Sequence, residues 1–325
     1  MLIEKYPIYK GEHCSSTAIS EIAQFYGMNL SEELIFGLSS GLDFLYFSLM
    51  DIRNSRVYFP RVPMLEKNFF ENTTFEFKWV QNDNIKSSAI EAEISKGKPV
   101  LAMVDTSKLD FFNRRNDSIS ISPHVCTIIG CDNQSFYISD SINNKLNICR
   151  KDSLFESMNV EKAPFFKKNC YSTIEYFELK NSIEYLSYIA LRKNAKTFLN
   201  NNNDVSGLNA IKKMIYDIDN FDRIPNYNKC ASGFFYSIEI IGTGGSAFRK
   251  LYLKFLKETN HYFSDSSILV YKMEELCIQY LNLGKSFDRF SRRGIENDLK
   301  KAKKILEYIT ILEFEFWESV LQIVK

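Results

Sequence analysis

Cys14 heads the stretch GEHCSSTAISEIAQFYG, directly after His13 and directly before apolar residues at helical spacing. A thiol attacks as thiolate, and at neutral pH that requires a base or a positive charge beside it. Histidine is the side chain whose proton affinity suits this task. The chain has three: His13, His124 and His261. Neighbours at a helix start point in different directions, so His13 is a poor partner for Cys14 despite its adjacency. His261 falls at the end of a helical stretch in the C-terminal half. His124 follows Pro123 and opens an apolar run in the same half as Cys14, which makes it the candidate base. An orienting group should hold its second ring nitrogen. Asp140 closes the next strand-like run, whereas Asp132 sits in a turn, where local backbone bonding already accounts for it.

A cysteine in the first turn of a helix gains further help. The unpaired N–H groups there and the helix dipole both favour a thiolate, and the same N–H groups can receive part of the negative charge of a tetrahedral intermediate. The chemistry implied is nucleophilic attack by the Cys14 thiolate.

Positioning these residues falls to the elements around them. Ala18, Ile19, Ile22, Ala23, Phe25 and Tyr26 give a helix over 14–26 that stops at Gly27. Ser31 then reads as the cap of a second helix with Glu32 and Glu33 in its first turn. After GLSSGLDF the pattern is mixed and strand-like, interrupted by Pro60 and Pro63. A short helix fits 85–96, closed by Gly97, and a buried strand fits 99–104. PHVCTIIG and SFYISD read as two strands of a hairpin turning at Asp132-Asn133-Gln134. Strand side chains alternate between faces. An odd-membered loop therefore puts His124 and Asp140 on one face, and an even-membered loop puts Asp140 on the wrong side.

Beyond about residue 178 the texture is helical, with stretches at 181–199, 206–218, 246–259, 266–283 and 295–323 and a local loop at Asn200–Asn203. The reading is an α+β domain over 1–178 and an α-helical domain over 179–325. Lys and Arg total 41 against 40 Asp and Glu, so no net charge draws the chain to nucleic acid or to an anionic membrane. No apolar run is long enough to span a bilayer, and the first residues lack the apolar core of a signal peptide. A cytoplasmic location is expected. Seven scattered cysteines, without any C-x-x-C, are expected to be reduced thiols, with no metal site. Gly242-Thr243-Gly244-Gly245-Ser246 lacks the Lys of a phosphate loop and reads as a tight helix start. Arg292, Arg293, Lys300, Lys301, Lys303 and Lys304 read as a solvated face, with docking of an acidic partner as the functional alternative.

The order of Cys at a helix start, His on a strand and Asp on the next strand resembles the papain-like fold, and HVCTIIGCDNQSFYISD resembles the His–Asp hairpin of its C39-like, bacteriocin-processing branch. More specifically, HCSSTAISEIAQFYGMNLSEELIFGLSSGLDF resembles the N-terminal domain of the butirosin-biosynthesis acyltransferase family, and GTGGSAFRKLYLKFLKE resembles its helical C-terminal domain. The resemblance implies a papain-like (C39-like) cysteine-protease fold with an additional helical domain. It also implies an amide-forming acyltransferase in antibiotic biosynthesis, with Cys14 as nucleophile, His124 as base and acid, and Asp140 as orienting group. The acyl group would arrive as a thioester on the phosphopantetheine of an acyl or peptidyl carrier protein and leave on a small-molecule amine, with no other cofactor. A clostridial member that builds amide bonds in thioamide antibiotics is one such use. Papain-like proteases carry a Gln shortly before the Cys for the oxyanion hole; residues 1–13 contain none, which leaves that donor unassigned. The alternative is a cytoplasmic thiol peptidase or amidase using the same three residues, and a binding protein on an inactive fold is the third reading.

Overall fold

The computed structural model describes residues 1–48, 55–73, 77–112, 123–160, 167–200 and 203–324. The chain opens with helices α1 (Cys14–Phe25) and α2 (Glu32–Leu38) and a hairpin of β1 (Leu42–Ser48) and β2 (Arg56–Arg61). Then come α3 (Leu65–Thr73), β3 (Val80–Gln81), α4 (Ser87–Ser95), β4 (Val100–Asp105), β5 (Pro123–Cys131), β6 (Ser135–Ser139), β7 (Asn147–Arg150), α5 (Lys151–Met158) and β8 (Cys170–Thr173). Helices α6 (Ile183–Leu199), α7 (Gly207–Asp219), α8 (Tyr227–Phe235), α9 (Arg249–Thr259), α10 (Ser267–Arg293) and α11 (Glu296–Ile323) complete it. The architecture is α+β followed by helices.

Contacts divide the chain into two compact units: Met1–Ile35 with Pro63–Lys180, and Phe36–Val62 with Asn181–Lys325. This differs from a contiguous break near 178, because the β1–β2 hairpin clusters with the helices. Its reason is buried polar bonding. Asn194 of α6 bonds the backbone of Leu42 through both ends of its amide, at 3.2 and 2.7 Å. Asp43 accepts Ser206 Oγ at 2.8 Å and Gly207 N–H at 3.1 Å.

Among the described residues of the first unit, six antiparallel strands pair in the order β3-β8-β4-β5-β6-β7. β4 is buried throughout and lies between β8 and β5, as its unbroken apolar run VLAMV requires. α1 packs against β5. Ten of its residues are buried, among them Ser15, Ser16, Thr17, Ser20 and Glu21. Each of these polar groups finds a partner: Ser15 Oγ donates to Glu66, Ser16 Oγ to Glu32 at 3.1 Å, Thr17 Oγ1 to the His13 carbonyl at 2.7 Å, and Ser20 Oγ to the Leu30 carbonyl at 2.6 Å. Glu21 accepts two bonds. A helix this polar can therefore be central without leaving orphaned groups.

The second unit holds α6–α11 and the β1–β2 hairpin. Helical texture is realised at 183–199, 207–219 and 296–323, and α10 runs on to Arg293. The expected helix at 246–259 starts only at Arg249, because Gly245, Ser246, Ala247 and Phe248 all have positive φ and form a left-handed turn. Ser246 N–H in that turn donates to Glu239 Oε1 at 3.0 Å, so the glycine-rich loop is a closed local structure. Helix α8 went unread in the sequence, and the Asn200–Asn203 loop falls in part on residues 201–202, outside the described residues. On the basic cluster, Arg292 pairs with Asp288 at 2.9 Å, Lys300 with Glu296 at 3.0 Å and Lys303 with Asp219 at 2.8 Å, and Arg293 lies 3.8 Å from Asp298. Those pairs fit a solvated, self-neutralised face. Among the described residues no helix is long and apolar enough to cross a membrane.

Candidate active site

α1 begins at Cys14 because His13 caps it: His13 is extended, and its Nδ1 accepts Ser16 N–H at 3.3 Å. A carboxylate fixes the approach to this cap. Glu32, the first residue of α2, accepts Glu12 N–H at 3.0 Å and His13 N–H at 2.6 Å, besides Ser16 Oγ. Gly11 N–H donates to the Ser141 carbonyl at 3.0 Å, and a Cβ at Gly11 would run into the Thr17 side chain. The glycine is thus required by close approach, and it ties the segment before Cys14 to the residue after Asp140.

His124 and Asp140 reach one another across the β5–β6 hairpin in a way the loop count alone would have forbidden. Cys131 pairs with Phe136, leaving the even-membered loop 132–135, which by parity sends Asp140 to the wrong face. A β-bulge between Ile128 and Gly130 inserts one residue into β5 and restores the register, so that Thr127 faces Ser139 and Ile128 faces Ile138. The bulge carbonyl, Ile129 O, is not orphaned; it accepts Ile3 N–H at 2.8 Å. As a result His124 Nε2 lies 2.7 Å from Asp140 Oδ2. The other Asp140 oxygen accepts Ile142 N–H at 3.1 Å, and the carboxylate is fully buried. Asp132 stays a turn residue, accepting the N–H groups of Gln134 and Ser135 at 2.8 and 2.7 Å.

With Nε2 committed to Asp140, Nδ1 is the nitrogen of His124 left for the thiol. Burial alone would push the Cys14 thiol up. The charged imidazole of His124 and the adjoining imidazole of His13 overcome it and hold the thiol well below its ordinary value. Burial would likewise lower His124, but the charges of Asp140 and of the Cys14 thiolate raise it to about 10. The two shifts describe one coupled group, a thiolate–imidazolium pair. Phe112 covers the imidazole edge-on, with ring centroids 5.6 Å apart, and 11% of the His124 side chain remains accessible.

The structure therefore brings Cys14, His124 and Asp140 into one site, while His261 is exposed in the other unit. His13, a poor partner by its adjacency, has a second place here: it is buried beside Cys14 and caps the helix that carries it. Sequence reasoning also missed Glu32; its place at the start of α2 explained it as a dipole-favoured acidic residue, and nothing local pointed at the loop 19 residues back. All seven cysteines are free and buried, and among the described residues no group of His, Cys, Asp and Glu is placed to hold a metal ion.

A nucleophile-bearing helix start packed on an antiparallel sheet that carries the imidazole and carboxylate is the arrangement expected of a papain-like domain. Residues 152–320 match the family described as Domain of unknown function (DUF4872), over more than half of the chain. The chain belongs to the DUF4872 family. Residues 13–141, which hold Cys14, His124 and Asp140, match the family described as Butirosin biosynthesis protein H, N-terminal. In this DUF4872 protein the second matched segment begins within α5 of the first unit and runs through the helices of the second. Among solved structures, a chain described as a C39-like peptidase from Bacillus anthracis aligns at 14% identity and a TM-score of 0.32, over 55% of this chain and 98% of its own. No curated protein matches the sequence. The site and the match of residues 13–141 support a cysteine-based enzyme.

Proposed function

We propose that the protein is an amide-forming acyltransferase that moves an acyl group from a carrier-protein thioester, through Cys14, to a small-molecule amine in specialised-metabolite biosynthesis. The observation that carries this reading is Cys14 at the head of α1 with His124, held by Asp140 at 2.7 Å, as its base, all within residues that match the Butirosin biosynthesis protein H N-terminal family.

The Cys14 thiolate attacks the thioester carbonyl, and the carrier thiol leaves with the proton of the His124 imidazolium. Cys14 is now acylated and His124 neutral. An amine attacks the acyl carbon and passes a proton to His124 as the C–S bond breaks. Amide departs, and the thiolate–imidazolium pair is restored. Asp140 holds the imidazole through Nε2 and stabilises its charge at both stages. Ser16 N–H is bonded to the His13 ring and Thr17 N–H to the His13 carbonyl, so in this reading the Cys14 N–H at the head of α1 receives negative charge from the tetrahedral intermediates.

The test is intact mass spectrometry of wild type and Cys14→Ala after incubation with an acylated carrier protein or a short acyl thioester. Wild type is expected to gain one acyl mass that Cys14→Ala does not, and amine should discharge it at least about tenfold faster than water does. Discharge by water at the same rate identifies a thiol hydrolase, the peptidase or amidase alternative. No adduct with any thioester overturns the acyltransferase.

A further inference from the structure

Glu21 is a buried titratable group of the first unit to which this chemistry gives no role. It lies seven residues after Cys14 on α1, about two turns on and on the same face, and is 1% exposed. Its Oε2 accepts Ser139 Oγ at 2.7 Å, and its Oε1 accepts Tyr9 N–H at 3.0 Å. Ser139 ends β6 and directly precedes Asp140; Tyr9 lies in the segment leading to Cys14. One carboxyl thus connects the helix that carries the thiol, the strand that delivers the orienting carboxylate and the incoming chain. A carboxyl in such a place is expensive, and an apolar side chain of similar size would fill it at lower cost.

We propose that Glu21 is a positioning residue for the Cys14–His124–Asp140 site, bracing α1 against the end of β6 and so fixing where Asp140 stands beneath His124. This rests on the reading of those three residues as the working site. The groups facing Glu21 are the phenols of Tyr6 and Tyr9 from the N-terminal segment, Ser139 and Asp140 at the end of β6, and Glu32 of α2. None of them carries positive charge. Burial pushes Glu21 up to about 8, with the charges of Asp140 and Glu32 adding to the rise and the bonds from Ser139 and Tyr9 opposing it. The brace is therefore neutral at neutral pH. Above its ionisation it becomes a second carboxylate close to Asp140, and like charges at a buried site drive each other apart.

The experiment uses full-length wild type, Glu21→Gln and Glu21→Leu. The rate of Cys14 alkylation by iodoacetamide, read on the Cys14 peptide by mass, is followed from about pH 5 to about pH 10, alongside aminolysis of a short acyl thioester. In wild type the alkylation profile should show a step of about two- to fivefold near pH 8, distinct from the His124 ionisation near 10, and Glu21→Gln should lack it. Glu21→Leu should lower kcat at least about tenfold with KM within about twofold, and Glu21→Gln should recover most of that loss. A step that persists in Glu21→Gln overturns the proposal, as does a Leu variant with wild-type kcat and profile. If Glu21→Leu does not fold, the Gln profile decides alone. Alkylation needs no acyl donor, so a failure of the acyltransferase reading is visible separately, as wild type that alkylates with the stated profile yet forms no acyl adduct.

Discussion

Arg249 with Glu313 in the helical unit and His124 with Asp140 in the α+β unit are both buried pairs at 2.7 Å, yet their surroundings differ. Around the first, every group is spent. Glu313 Oε1 accepts Arg249 Nε and Nη2 at 3.0 and 2.7 Å and Tyr280 O–H at 2.9 Å, while Oε2 accepts Trp317 Nε1–H at 2.9 Å. Arg249 Nη1 donates to the Ala247 carbonyl at 2.8 Å, and the guanidinium lies over the Tyr280 ring, 4.1 Å from its centroid. Although burial opposes the charge, Glu313 pushes Arg249 further up, so it carries no proton that ordinary pH can move. Around the second pair, one imidazole nitrogen faces a thiol, part of the ring stays accessible, and two neighbouring groups, Cys14 and Glu21, are shifted toward the working range. A saturated pair specifies a fold; a pair with one valence left open can do chemistry.

The largest effect that would sharpen this contrast is on stability. Glu313→Gln leaves the Arg249 charge buried without its counter-charge, which costs about 3–5 kcal/mol. The urea midpoint should fall accordingly, while the pH profile of Cys14 alkylation in the folded protein stays where it was. A variant as stable as wild type, or one with a displaced alkylation profile, would break the division between the two regions.

The opposite perturbation is Asp140→Asn. Here the orienting charge goes and the hydrogen-bonding shape stays. The Asp140 charge is the largest influence raising His124, so its loss should bring the alkaline limb of activity down from about 10 by about one to three pH units. The sign follows from the pair: less stable imidazolium means less thiolate, so the acid limb moves up and the window of activity narrows from both sides. Urea stability should change far less than in Glu313→Gln. An alkaline limb left near 10 would mean that Asp140 holds the ring in place without supplying charge.

The elements that carry local signals are legible in the sequence. The apolar spacing after Cys14, Gly27 and the Ser31 cap marked α1 and the start of α2, and Leu34 N–H does bond Ser31 Oγ at 3.0 Å. The strands around His124 and Asp140 were legible for the same reason, from apolar runs flanking a turn. What escaped depends on partners distant in sequence. The bulge at Ile129 draws on Ile3, the Cys14 loop on Glu32, and the assignment of 36–62 to the helical unit on Asn194, Ser206 and Arg249. The left-handed turn before α9 escaped because Ser246, Ala247 and Phe248 are not residues that ask for positive φ; the buried bonds of Ser246 Oγ to the Cys277 carbonyl and of Arg249 to Glu313 hold it there.

His13 offers the smallest effect and the finest division within the reactive region, because one side chain has two separable duties. As a cap it needs only an acceptor for Ser16 N–H, a bond of 3.3 Å that Asn can make as well. As a neighbour that lowers the Cys14 thiol it needs an imidazole, whose ring edge away from the cap can donate toward sulfur. His13→Asn should therefore keep helix stability within a few tenths of a kcal/mol while raising the thiol by about one pKa unit, seen as a displaced acid limb in iodoacetamide alkylation. His13→Ala removes both duties and should add about 1 kcal/mol of destabilisation to the same displacement. If His13→Asn leaves the acid limb in place, the charge that holds the thiol down belongs to His124 alone. Asp140→Asn should then shift the acid limb by the whole amount that the two histidines would otherwise share.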